Sequence, residues 1–497
     1  MNLLPKSTRL IVREYDSTPT VKQIRGVDHV FLFEPKLKSG RLLPKMPLQK
    51  QIDHMQAQAV SKSGVLSHSG DARQPTISYS HYAKGASVFD MLTLARKHYA
   101  ALKNLNPTRA LVLCNDKSEE VRKAFAEAVA AAGHAWICPL TTFKKRRARN
   151  RKLRYLDAYK VSDLDIARLK AEADGNNLAR VLAALPPNKL TAASYTALCQ
   201  QLARSNNWEC EIFDQSRLQK AGAGAFLAVA RGNPHANAAI VRLRHTGQQD
   251  RPQLALVGKG VCFDTGGVNL KNAIGMQQMH EDMQGSSVAL GTFLTLTALR
   301  PDDTLECWLA LTENRLDGEA YTPTEIVTAA NGTTIEVVHS DAEGRMALAD
   351  TLHLASLNKP ALIIDYATLT GACIYALTTR YSGTFTNRDD LNTALLAAGE
   401  DSGERMWPFP VSQDFDDILE SDYADIKQCS LDGKGDHIAA ARFLSRFVPA
   451  KTPWIHVDLS SGHHKGGLAH VSSDVTGVGV RFTCNLVLDK KIGDQLG

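Results

Sequence analysis

Two series of apolar runs and amphipathic stretches follow one another along the chain. In the first, Asp28–Pro35 (DHVFLFEP), Arg109–Asp116 (RALVLCND) and Trp136–Leu140 (WICPL) are short apolar runs that predict strands. Between them, Ser87–Asn104 and Ser118–Ala135 repeat apolar residues at three- and four-residue spacing, as amphipathic helices do. Asp163–Leu185 is helical in period and closed by Pro186 and Pro187, which suits a connecting helix. A second series begins near residue 185, with strands predicted at Trp208–Asp214, Ala238–His245, Gln253–Gly260, Leu305–Asn314, Thr333–Ser340 and Ala361–Leu369. The pattern predicts an α/β protein: two α/β domains joined by a helix, the second holding a mixed sheet flanked by helices. The expected boundaries are 1–155, 156–184 and 185–497.

Composition changes this picture little. A chain of 497 residues exceeds one ordinary core, and 44% hydrophobic with 22% charged residues is average for a globular protein. No apolar run approaches a membrane span, and the opening MNLLPKSTRLIVREYDS lacks the apolar core of a secretory signal, so a cytoplasmic location is expected and no membrane partner. Nine scattered cysteines without a CxxC pair predict reduced thiols, with neither a disulfide framework nor a cysteine-ligated metal.

Charge is uneven. The run Lys144–Arg154 (KKRRARNRKLR) carries eight cations, so of the net +6 the rest of the chain holds −2. Such a run can bind nucleic acid or another polyanion. The plainer reading, a solvated linker or helix face pairing with acids of a neighbouring subunit, is favoured because short basic runs match easily.

The chemistry collects at three strand ends, where α/β sheets keep their sites. Lys259, Asp264 and Lys271 follow the first, in LALVGKGVCFDTGGVNLK. Asp282 lies in QMHEDMQGSSVAL, where Met279, Met283, Leu290 and Leu294 have helical spacing, which puts it in an early helical turn. Asp341, Glu343 and Arg345 lie between the run TTIEVVHS and the helical MALADTLHLASL. Four carboxylates brought together need counter-charge, which two divalent cations would supply. Such a pair suits hydrolysis. Lys259, in a glycine-bounded bend, then has the place of a metal ligand through a neutral amine, while Lys271 and Arg345 stay charged and face a developing oxyanion. Each residue alone has a plainer reading: Asp341 as a helix cap, the lysines as solvent-facing, the TGG as a tight turn. His280 has no HExxH or Cys/His spacing to support it as a ligand.

Together, VGKGVCFDTGGVNLK, MHEDMQGSSVAL, HSDAEGRMALAD and DYATLTGA resemble the leucyl aminopeptidase (cytosol aminopeptidase) family, whose strings are close to VGKGxxFDSGGxxxK, NTDAEGRLxLAD and DxATLTGA. PPNKLT, LTENRLDGEAYTP and WPFP add to the match, which covers roughly residues 175 to 425. The resemblance implies a two-metal aminopeptidase acting on peptides with a free N-terminus, leucine or a similar apolar residue first. It implies that Lys259, Asp264, Asp282 and Glu343 hold one metal and Asp264, Asp341 and Glu343 the other, with zinc, manganese or magnesium as the ions. It further implies that Lys271 polarises the scissile carbonyl and that Arg345 anchors a bicarbonate as general base. Met279, Thr368, Leu369 and Gly371 would bind the N-terminal residue, in a homohexamer.

Departures from the pattern fall around these positions. His339 and Ser340 replace the asparagine and threonine before DAEGR, and Gln284 replaces a glycine. GDHIAAARFL and HVDLSSGHHKGGLAHVSS follow the family's GG-A-AA-FL and H-D-AG stretches only loosely. One competing reading is a non-enzymatic nucleic-acid-binding protein on the same scaffold, against which stand the intact ligand positions. Another is a two-metal hydrolase of a different bond, such as a phosphoester, against which stands the single arginine of the motifs, Arg345. The chain has no P-loop and no GxSxG elbow.

Overall fold

The computed structural model describes residues 3–5, 9–36, 55, 65–68, 74–102, 105–145, 151–233, 235 and 237–495. Its first sheet has six strands in the order Ile11–Tyr15, Tyr155–Tyr159, Arg109–Cys114, His29–Pro35, Thr76–Tyr82 and Leu66–His68. All neighbours are parallel except the last pair. Tyr155–Tyr159 belongs to this sheet, and the helix Ile166–Ala183 follows it. The strand expected at WICPL is absent. Trp136 and Ile137 instead complete the helix Glu119–Ile137, whose apolar face they extend into the core.

Eight strands form the second sheet, in the order Met406–Pro408, Ser382–Thr386, Trp454–Asp458, Leu362–Ala367, Leu254–Asp264, Leu305–Asn314, Ala239–His245 and Glu209–Asp214. Parallel and antiparallel pairs mix, and the centre, Trp454–Asp458 through Leu305–Asn314, is parallel. Side chains of the central strand alternate between two cores, Leu254 and Leu256 on one face and Ala255 and Val257 on the other, as the two-residue strand period requires. One face packs on helices that include Ile166–Ala183 and Gln284–Leu299, the other on Gly224–Arg231, Glu343–Ser356 and Asp436–Ser445.

TTIEVVHS does not join this sheet. Only Thr334–Glu336 is extended in pairing, within a small sheet with Ile326–Thr328 and Ile426–Lys427. Beyond it, the amides of Val338 and His339 donate to the Gln428 side chain, which turns the chain toward Asp341. In the basic run, residues 146–150 lie outside the described residues. Lys144 and Lys145 are exposed, and the Arg151 guanidinium lies over the Trp136 ring. Among the described residues no helix is long and apolar enough to cross a membrane.

Candidate metal centre

The parallel strands Leu254–Asp264, Leu305–Asn314 and Leu362–Ala367 point their C-terminal ends the same way, and the charged residues collect there. Lys259 is not in a bend: it lies inside an eleven-residue strand and is 3% exposed. Its amine reaches Asp282 Oδ1 at 2.8 Å, Glu343 Oε1 at 2.9 Å and the Thr368 carbonyl at 3.1 Å. Gly344 makes this approach feasible, because a Cβ there would stand 2.6 Å from the lysine's Cε and Nζ.

Asp264 ends the same strand. The loop after it turns back through Gly266, at φ +88°, where a side chain would collide with the Asn269 carbonyl. That turn brings Lys271 to 2.9 Å from Asp264 Oδ2 and into contact with Asp341 Oδ1. Asp282 follows the short turn Met279–Glu281 and precedes the helix Gln284–Leu299, so it stands outside the helix in which the sequence places it. Glu343 is the first residue of the helix Glu343–Ser356.

One oxygen each from Asp264, Asp341 and Glu343 lies within 4.8 Å of the others, a set able to hold a cation. Asp282 adds a buried Oδ2 that has no hydrogen-bond partner. Burial, joined by the neighbouring carboxylates Glu343 and Asp264, pushes Asp282 far above the usual carboxylate range, and burial with Asp264 raises Glu343. Burial and Asp264 lift Asp341 to about 6 despite Lys271. Burial pulls the Lys259 amine down, but Asp282, Glu343 and Asp264 outweigh it and hold the amine above its ordinary value. Two lysines thus leave four crowded carboxylates short of positive charge, and the donor set fits divalent cations.

Sequence reasoning missed a supporting group. Asn314 Nδ2 donates to Asp264 Oδ1 at 2.8 Å and to the Ser340 carbonyl at 3.0 Å. Ser340 Oγ in turn accepts from the Asn269 amide and donates to the Gly266 carbonyl, holding the loop between Asp264 and Lys271. Thr368 Oγ1 donates to Asp282 Oδ1 at 2.8 Å, and the Leu369 amide to Asp458. Met279 lies in the turn before Asp282, and Gly371 opens the helix Gly371–Leu377. Arg345, 2% exposed, does not face the carboxylates alone: its Nη2 donates to both oxygens of Asp436, at 2.8 and 2.9 Å, and its Nη1 to the Gln428 carbonyl at 3.1 Å.

Residues 177–484, more than half of the chain, match the model of the cytosol aminopeptidase family, catalytic domain. A probable cytosol aminopeptidase of Xylella fastidiosa (strain 9a5c) is 38% identical over 381 residues, 74% of this chain and 76% of that protein. One from Sulfurihydrogenibium sp. is 36% identical over 327 residues, 65% of each chain. The solved structure of a mutant tomato leucine aminopeptidase superposes with a TM-score of 0.83 at 27% identity, covering 98% of both chains. These matches place the chain among the metallo-exopeptidase hydrolases. It belongs to the cytosol aminopeptidase family.

Proposed function

We propose that the chain is a two-metal aminopeptidase that removes the first residue, leucine or a similar apolar one, from peptides with a free N-terminus. The observation that carries this reading is the cluster of the buried Asp264 and Glu343 with the half-buried Asp341, and the unpartnered Oδ2 of Asp282. In it, Lys259, Asp264, Asp282 and Glu343 hold one divalent ion and Asp264, Asp341 and Glu343 the other. The ions are zinc, manganese or magnesium, among which oxygens plus one amine discriminate poorly. When bound, they lower the pKa of water and polarise the substrate carbonyl. Asn314 and Thr368 fix the orientations of Asp264 and Asp282 through their hydrogen bonds.

Lys271 is the more exposed of the two lysines, its side chain 16% exposed against 4% for Lys259, and in this reading its ammonium faces the scissile carbonyl oxygen and stabilises charge developing there. Met279, Thr368, Leu369 and Gly371 line the pocket for the N-terminal side chain in this reading. The bicarbonate suggested by resemblance would have to compete with Asp436 for Arg345. Assembly as a homohexamer in the cytoplasm completes the reading, with light scattering as its check.

The test is metal removal. Chelation should abolish cleavage of leucine amides, manganese, zinc or magnesium should restore it, and N-acetylated substrates should remain uncut. Full activity after verified metal removal contradicts the reading.

A further inference from the structure

We propose that the adjacent His463 and His464 are positioning residues that set the width of the pocket for the substrate's first side chain, each tying a different wall of it to one closed loop. The proposal deepens the aminopeptidase reading above and rests on it. In that reading Met279 stands on one wall, in the turn Met279–Glu281, and Gly371 on the other, at the start of the helix Gly371–Leu377. His463 Nδ1 lies 3.0 and 3.2 Å from the two carboxylate oxygens of Glu281, the last residue of that turn. His464 Nδ1 lies 2.8 Å from Thr379 Oγ1 and 3.0 Å from the Thr379 carbonyl, two residues beyond the end of that helix.

The two histidines open a loop that leaves the strand Trp454–Asp458, and Asp458 already holds the start of the helix by accepting from Thr370 Oγ1 at 2.7 Å. The loop closes on itself. The Thr476 amide donates to the Gly462 carbonyl at 2.9 Å, the His464 amide to the Asp474 carbonyl at 2.8 Å, and His463 forms a bridge with Val475. In extended chain successive side chains point to opposite sides, which sends neighbouring imidazoles to opposite walls. Helices outside the loop hold the rest of it. Arg96, in the helix Val88–Ala101, donates to the carbonyls of Gly466 and, at 3.0 Å, Ala469. Asn176 Nδ2, in the helix Ile166–Ala183, lies 3.0 Å from the carbonyls of both Thr476 and Gly477.

Gln284 strengthens the first tie. Standing where the family's strings have a glycine, it donates from Nε2 to Glu281 Oε2 at 3.0 Å, and Gly462 leaves room for it: a Cβ there would stand 2.7 Å from Gln284 Oε1. Gln284 and the HH of HVDLSSGHHKGGLAHVSS both fall where the chain departs from the family's pattern, and they meet at the same turn. An apolar pocket selects by fit, one methylene more or less being worth roughly 10- to 200-fold, so the spacing of its walls decides which first residue is preferred.

The experiment measures kcat and KM of the metal-loaded enzyme on the amides of leucine and phenylalanine, and titrates the same enzyme calorimetrically with free leucine and free phenylalanine, which reads the pocket without turnover. His463→Ala and His464→Ala should each lower the ratio of kcat/KM for leucine amide to that for phenylalanine amide by roughly 10-fold, mainly through KM, as a released wall admits the larger side chain. The ratio of the two amino acids' affinities should move the same way. His463→Asn and His464→Asn, whose amide stands where Nδ1 stood, should restore the wild-type ratios. His463→Leu and His464→Leu keep the bulk without the bond and should shift the ratios as alanine does, so the test holds even where an alanine variant folds poorly. Equal losses on both substrates, or ratios unchanged by alanine and leucine alike, would overturn the proposal. A protein that cleaves no amide with any metal would defeat the aminopeptidase reading, while the calorimetric ratio would still decide for or against the two histidines.

Discussion

Asn314 and Asp264 are partners across two parallel strands, and the asparagine's Nδ2 donates to the aspartate's Oδ1 at 2.8 Å. The same amide reaches the Ser340 carbonyl at 3.0 Å, so one side chain ties the strand end to the segment carrying Asp341 and Glu343. Asn314→Ala should keep the fold and weaken metal binding by roughly 10- to 100-fold, the range for losing an outer hydrogen bond to a ligand. Competition against a chelating dye measures it, and an unchanged affinity would show that Asp264 needs no such support.

Gly344→Ala separates fold from site. Gly344 is the second residue of the helix Glu343–Ser356, where alanine exceeds glycine by less than the about 1 kcal/mol of a helix interior, so on propensity alone the substitution should stabilise slightly. The new Cβ would stand 2.6 Å from Lys259 Cε and Nζ, atoms at the end of a movable side chain. We expect a melting temperature at or above wild type together with loss of activity, as the amine is pushed off Asp282 and Glu343. Wild-type turnover in this variant would contradict the placement of Lys259.

Stability should carry a pH signature away from the centre. Burial lifts Glu404 to about 7, although the amides of Phe482 and Gly479 donate to its Oε2. Because the folded value lies above the unfolded one, its protonation stabilises the fold below about pH 4.5, and that contribution fades as pH rises through about 7. The loss amounts to roughly 3 kcal/mol when complete. Glu404→Gln keeps the acceptor and removes the charge, so its melting temperature relative to wild type should climb between about pH 5 and pH 8. A constant difference across that interval would rule the effect out.

Much of the centre was legible because charge and glycine crowd the ends of apolar runs, which is how Lys259, Asp264, Asp282, Asp341 and Glu343 stood out. What they touch was not legible. Asn314 meets Asp264 through strand register, and Asp436 meets Arg345 although 91 residues separate them. The strand Thr76–Tyr82 escaped notice because Ser78 and Ser80 face inward, where both bond to the buried His98, so its core face does not read as apolar. WICPL misled for the opposite reason: an apolar end of a buried helix has the composition of a strand. Lys259 seemed to end a strand because two glycines flank it. Gly258 in fact admits the backbone of Gly285 and Ser286 against a strand that continues to Asp264.

Metal content of the two lysine variants tests the two-metal centre most directly. Lys259 contacts Asp282 and Glu343, and Lys271 contacts Asp264 and Asp341, yet only the first is assigned as a ligand. Elemental analysis after dialysis against excess metal should find two ions per chain in the wild type and in Lys271→Ala, and close to one in Lys259→Ala. Turnover of Lys271→Ala should fall by roughly 10² to 10³ with both ions retained, as for loss of one oxyanion donor. Two ions in Lys259→Ala with one lost from Lys271→Ala would reverse the two roles, and a wild type holding no stoichiometric metal would contradict the centre itself.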